Sequence, residues 1–266
     1  MPNLQLMTYR EEPPPPALSH LALSFWEFSI SSEATGPIVH EVFPDGCASI
    51  VYFRNITHGH TWLHVVGPRL YSLKAEVNPG DVFCGVRLAP AAAKLILSDY
   101  PQVFNGGRAQ LSLSGETHSN TKGLFDLATG FPETVKAHSS YLSGLSIPAE
   151  DIDSVVATAV SLIETHRGHI GIAELAGTLN LSARQLERRF RQAVGLPPKQ
   201  FARLRRLRAT IVSLVEQGDD GWAQKAAEMG FADQPHLTRD FGSLTGQTPS
   251  NFAEKTSRII HRGLVK

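Results

Sequence analysis

Residues 181–195 read LSARQLERRFRQAVG, with cationic and apolar side chains at helical spacing. Ser182 suits an N-cap, because its hydroxyl can accept an amide proton left unpaired in the first helical turn. At 100° per residue, Ala183, Leu186, Phe190 and Ala193 fall on one side of the wheel. Arg184, Arg188 and Arg191 fall on the other, with Gln185 and Gln192 on one flank and Glu187 on the opposite one. Gly195 then ends the helix. Such a helix buries one edge and offers the other to an anion. Its width suits the B-DNA major groove, where arginine pairs with guanine O6 and N7. A solvated charged face is the plain alternative.

Two other groups of residues could carry chemistry. His58, His60 and His64 stand at H-x-H-x₃-H spacing, similar to that of cupin metal sites. No glutamate follows at the matching interval, and Gly59 fits a hairpin turn, so no metal site is expected. Cys47 follows a Pro-Asp-Gly turn and has Cys84 as its one potential partner. A redox- or metal-responsive sensor using Cys47/Cys84 or His58/His60/His64, with DNA binding as its output, is the alternative function. Small buried side chains are the commoner fate of free cysteines. No Ser/His/Asp spacing, phosphate loop or paired-carboxylate motif stands out, so neither catalysis nor a cofactor is expected.

These groups need a scaffold, and 266 residues suffice for about two cores. Residues 1–150 hold 9 basic and 13 acidic side chains, whereas residues 151–266 hold 16 and 12. The basic half is therefore the candidate polyanion binder. Two cysteines imply no disulfide framework and a reducing compartment. No signal peptide is read at the N-terminus and no membrane-spanning run is found, so a cytoplasmic location is expected.

Pro13 to Pro16 read as an extended lead-in. Residues 21–30, 40–55, 61–73 and 82–88 are aromatic and β-branched strand patterns. Turns at Pro44-Asp45-Gly46 and Asn78-Pro79-Gly80-Asp81 punctuate them. Residues 89–97 predict a short helix, and residues 124–145 helical or irregular structure. The expected fold is α+β: a β-rich, barrel- or cupin-like domain over 1–148, then an all-α domain over 149–266. The β-rich domain is expected to hold a small effector or to form a homodimer. Trp26, Phe28, Tyr52, Trp62 and Tyr71 are candidate pocket residues, although aromatics more often serve as plain core.

From Asp151 the period becomes helical. Residues 152–167 and 172–179 predict two helices, the second joined by a tight turn to the arginine helix, which is the helix-turn-helix pattern. Pro198 opens a longer helix running to about Gln217. The unit then recurs. LERRFRQAVGLPPKQF (186–201) and LTRDFGSLTGQTPSNF (237–252) share Leu, Phe, Gly, Pro and Phe at an offset of 51. Upstream, 175–181 pairs with 225–231 at an offset of 50, so the second turn carries one extra residue.

The repeat, with GFADQPHLTRDF, Gly246 and Pro249 in its second copy, resembles the DNA-binding domain of AraC/XylS-type transcriptional regulators over about 160–255. FWEF, PDGCASIVYF, VGP and GVRLAPAAA resemble the β-rich domain of unknown function that precedes some of those domains. The resemblance implies two helix-turn-helix units joined by a long helix and reading successive major-groove segments. The joining helix would span about 30 Å, close to the ~34 Å between such segments. Carried over by position, Ser182, Arg184, Gln185, Arg188 and Arg191 contact DNA from the first unit, and Gln234, His236 and Arg239 from the second. Arg203, Arg205, Arg206 and Arg208 give the joining helix a basic load suited to phosphate contacts, with Arg203 and Arg206 the candidate DNA-binding residues. Nine basic residues from Arg184 to Arg208 suggest that the first unit supplies more of the affinity than the second. Implied partners are double-stranded DNA, a small effector and, for an activator, RNA polymerase.

Overall fold

The structure, a computed structural model, describes residues 6–113, 123–125, 128–217 and 222–257. Its first part is built on strands: β1 (Met7–Glu12), β2 (Ala22–Ile30), β3 (Ile38–Val42), β4 (Ser49–Asn55), β5 (Thr61–Val66), β6 (Leu73–Val77), β7 (Asp81–Leu88) and β8 (Arg108–Gln110). Six of them form one sheet in the order β1-β2-β7-β4-β5-β8, and β3 pairs with β6 in a separate ribbon. Every pairing is antiparallel. The sheet and ribbon do not close into one hydrogen-bonded barrel among the described residues. Charged Arg10, Glu11 and Glu12 gave β1 no hydrophobic run to mark it, as suits an edge strand.

Alternation along the strands sends side chains to two faces. Phe25, Ile50, Val65, Val86 and Leu88 line a core with Phe131, Tyr141 and Leu142 of helix α2 (Phe131–Gly144). Trp26, Phe28, Phe53, Trp62 and Phe83 occupy the opposite face, where the ribbon covers one end by stacking His40 on Phe28 at 4.1 Å. Gly46 and Gly80 take left-handed φ values of 75° and 82° in the two turns expected to need them. After β7 comes a short helix, α1 (Ala93–Ile96).

The helical part comprises α3 (Ser154–Thr165), α4 (Ile172–Thr178), α5 (Ala183–Val194), α6 (Pro198–Gln217), α7 (Trp222–Glu228), α8 (Gln234–Thr245) and α9 (Pro249–Ser257). Residues 218–221, expected to end the joining helix as a turn, and the side chain of Val215 lie outside the described residues. The repeat is geometric as well as sequential. Phe190 packs on Phe201 and Phe241 on Phe252, both with ring centroids 5.5 Å apart. The left-handed residue of each helix-turn-helix turn is Asn180 in one unit and Gly230 in the other. Gly230 has no alternative, since a Cβ there would stand 2.1 Å from His169 Nδ1. α5 and α8 both end at a left-handed glycine, Gly195 and Gly246. One core cluster joins Leu186, Phe190, Phe201, Leu207, Phe241 and Phe252. Ala183, expected on the apolar side of α5, is exposed, and Val194 is buried in its stead.

The two parts are docked. Phe43 meets Phe252 edge-on at 5.3 Å, and Ser72 N–H donates to the carbonyl of Leu244 at 2.9 Å. Gln247 donates to Glu41 at 3.0 Å, which anchors the second unit to the ribbon. At the first unit, Gly195 lies flat against Phe104, 2.3 Å from where a Cβ would be.

Burial pushes the imidazoles of His40 and His138 down to about 4. His138 sits between the carbonyls of Thr134 (2.9 Å) on its own helix and Ile50 (3.1 Å) on β4, and the neutral ring has one N–H to donate to one of them. A histidine whose folded pKa lies below its unfolded value contributes stability above the unfolded value. That contribution is lost as pH falls from about 6.5 toward 4. Thermal melts should therefore show stability falling over this window, and His138→Gln should make the fall shallower while lowering stability at pH 7. An unchanged pH profile in the variant would contradict the assignment.

Candidate nucleic-acid interface

Helix α5 begins with a capping box. Ser182 Oγ accepts from the Gln185 N–H at 3.3 Å, and Gln185 Oε1 accepts from the Ser182 N–H at 2.9 Å. Ser182 and Gln185 are thus committed to starting the helix, leaving the Gln185 amide NH₂ to face outward. Glu187 and Arg191, one turn apart, pair at 2.9 Å on the exposed surface. Arg184 and Arg188 are exposed and have no protein acceptor among the described residues. They are the two guanidinium groups that α5 offers to an incoming acceptor.

On α8, Asp233 caps the helix by accepting from the His236 N–H at 2.7 Å. The His236 ring packs edge-on against Phe231, and its Nδ1 accepts from the Ala232 N–H at 3.3 Å. Only Nε2 of that imidazole remains for another partner. Gln234 and Arg239 are exposed. The second unit therefore presents the three side chains expected from it, with His236 half engaged.

The joining helix departs from expectation. Arg203 is bonded to Asp240 and Ser243 on α8. Arg206 is half-buried, its guanidinium 5.3 Å from the Phe231 ring centre, and burial pulls its pKa below the usual arginine value. Arg205 is 3% exposed, with Glu164 at 2.7 Å and Cys47 Sγ at 3.0 Å. Arg203 and Arg206, expected to contact phosphates, are thus engaged by groups of the protein itself. Helix α6 packs among α3, α8, α9 and the β-rich part, and Arg203, Arg205 and Arg206 are engaged there by protein groups. With Arg189 and Arg191 also paired, the free arginines on the two helices are Arg184 and Arg188 of α5 against Arg239 of α8.

Of the candidate pocket residues, Trp26, Phe28 and Trp62 share one face of the sheet. Tyr52 lies on the other, packed on Phe125 at 5.2 Å, and Tyr71 is an exposed loop residue. Phe53 and Phe83 complete the aromatic row and were missed. Phe53 lies 4.9 Å from both Trp62 and Phe83. Gly85 lets the Trp26 indole lie directly on β7, 2.6 Å from where a Cβ would be.

His58 and His60 lie in the loop around left-handed Gly59, and His64 stands on β5 against Trp62. Among the described residues no three His, Cys, Asp or Glu side chains are grouped to hold a metal. Both cysteines are buried. Burial pushes the Cys47 thiol up to about 11 against the pull of Arg205, and burial with Glu27 pushes Cys84 up to about 12. Cys84 pairs in register with Tyr52, whereas Cys47 precedes Ser49 at the other end of β4. At ~3.4 Å per residue they are about 10 Å or more apart, too far for a disulfide.

Residues 175–255 match the family model of a helix-turn-helix domain, and residues 10–108 match a domain of unknown function, DUF6597. The C-terminal part carries an AraC-type helix-turn-helix domain, preceded by the DUF6597 domain. No curated protein matches the chain. Among solved structures, it is similar to a probable AraC family transcriptional regulator from Rhodopseudomonas palustris. That match has 24% identity and a TM-score of 0.35, covering 39% of this chain and 98% of the other. An AraC-type regulator from Chromobacterium violaceum matches at 26% and 0.35, covering 41% and 96%. ToxT from Vibrio cholerae matches at 12% and 0.45, covering 95% and 99%. No helix among the described residues is long and apolar enough to cross a membrane.

A thiol-reactive dye added to the native protein at pH 8 should label neither cysteine within the time that labels both in denaturant. Rapid native labelling of Cys47 would contradict its burial against Arg205.

Proposed function

We propose that the protein is a sequence-specific transcriptional regulator whose α5 and α8 read adjacent major-groove segments. Residues 149–266 act as the DNA-binding domain and residues 1–148 as its modulator. One observation carries this reading. Two recognition helices, exposed at matching positions, stand at either side of a joining helix about 30 Å long. Arg184 and Arg188 suit guanine O6/N7, and Gln234 suits adenine N6/N7. The protein is read as a regulator of cytoplasmic DNA and not as an enzyme. It would recruit RNA polymerase if it activates, and would work as a monomer or homodimer.

Modulation through the β-rich domain is supported by its grip on both units. Phe104 meets Gly195 beside the first, and Glu41, Phe43 and Ser72 meet the second. A cleft of about 890 Å³ also opens between the two parts, with Leu23, Arg87 and Pro90 on one wall and Ile152, Val160 and Arg208 on the other. A small effector bound there or on the aromatic face would change how the units are held.

Selection of random duplexes by the full chain should yield a two-segment site. Arg188→Ala should cost about 1–3 kcal/mol and relax one base pair of the first segment, and Arg239→Ala should do the same in the second. If both variants relax the same segment, or neither relaxes any, the two-head reading is wrong.

A further inference from the structure

Arg189, on the half-buried flank of α5, donates from Nε to Asp153 Oδ2 at 2.8 Å and from Nη2 to Oδ1 at 2.7 Å. Asp153 is also the N-cap of α3, accepting from the N–H groups of Val155 and Val156. These bonds outweigh burial and hold its carboxyl below the usual range. One bidentate pair thus ties the first recognition helix to the helix that opens its unit. In the second unit Arg203 of α6 donates to Asp240 and Ser243 of α8. The places correspond. Asp153 and Arg203 are 50 residues apart and Arg189 and Asp240 are 51 apart, the same two offsets at which the repeat runs. The signs do not. The acid sits on the leading helix in the first unit and on the recognition helix in the second.

We infer that Arg203 and Asp240 are positioning residues for DNA reading, fixing α8 on α6 as Arg189 and Asp153 fix α5 on α3. A planar guanidinium fork holding two side chains one turn apart constrains the roll of α8 as well as its tilt. Arg239 precedes Asp240, about 100° round the helix. A roll that keeps Asp240 turned toward α6 therefore aims Arg239 outward. The reversed signs add specificity. Pairing α8 with the leading helix of the first unit would set Asp240 against Asp153, and the converse exchange would set Arg189 against Arg203. Each recognition helix is matched by charge to its own unit.

This inference rests on α8 reading DNA, so the test carries a control for that reading. Binding of the full chain is measured by salt titration on a duplex with both segments intact and on one with the second segment scrambled. Arg203→Ala and Asp240→Ala should each weaken the intact duplex about tenfold. Neither should alter binding to the scrambled duplex or the slope of log K against log salt. The exchange Arg203→Asp with Asp240→Arg should restore most of the loss.

A phosphate contact by Arg203 would behave differently. Arg203→Ala would flatten the salt slope by about one, while Asp240→Ala, removing an anion near DNA, would bind as tightly or tighter. That pattern overturns the inference. So does an equal loss on the scrambled duplex, which marks a general folding defect. If Arg239→Ala leaves the intact duplex unaffected, α8 does not read DNA, and the reading beneath the inference falls with it.

Discussion

A guanidinium taken out of water must be fully partnered or it destabilises the fold, because its desolvation costs several kcal/mol. Arg205 draws its charge and packing partners from both parts of the chain. Glu164 of α3 supplies the countercharge, the Phe201 ring lies 4.7 Å beneath, and Cys47 comes from the loop before β4. That loop is held in turn by Asp45, which accepts from the Cys47 N–H at 2.9 Å and pairs with Arg87 at 2.6 Å. Arg87 continues to Glu11 on β1 at 2.6 Å. A chain of alternating charge therefore runs from the edge of the sheet to the joining helix. Displacing the β-rich part would strand Arg205 without its cysteine and leave Asp45 with Arg87 alone, without the added pull of Arg205 and Arg208 on its carboxyl. The docking of the β-rich part on the helical part is electrostatic at its centre and aromatic at its ends, where Phe104 and Phe43 make the contacts.

The same economy governs the helical part, where five of the arginines are engaged by other protein groups. Arg189, Arg203 and Arg205 fasten helices, Arg191 satisfies Glu187, and Arg206 stacks on Phe231. Counting basic residues overstates the electrostatic grip on DNA. Arg184, Arg188 and Arg239, exposed on α5 and α8, are a set suited to reading bases more than to neutralising phosphates.

Much of this was legible in the sequence. The 51-residue repeat named Phe190, Phe201, Phe241 and Phe252 as core, and their two matched ring pairs occupy it. Caps at Ser182 and Gly195, and the length of α6, followed from local chemistry. Partners far apart in the chain were not legible. Asp153 and Arg189 are 36 residues apart and Cys47 and Arg205 are 158 apart, and no periodicity connects them. The repeat did hold a signal for the two ion pairs, but opposite charges at equivalent positions disguise it as mismatch. On the sheet, side-chain parity decided the outcome. Tyr52 and Phe53 differ by one residue and so face opposite sides, and only the β4–β7 register tells which is which. Tyr71 lies in a loop, where aromatic type alone implied a pocket that alternation could not check.

The central claim is that two recognition helices engage one face of a duplex through a joining helix of fixed length. Hydroxyl-radical footprinting of the full chain on its selected duplex tests this most directly. Two protected patches should appear on the same face of the duplex, centred about 10–10.5 base pairs apart. A single patch spanning one groove segment would contradict the account.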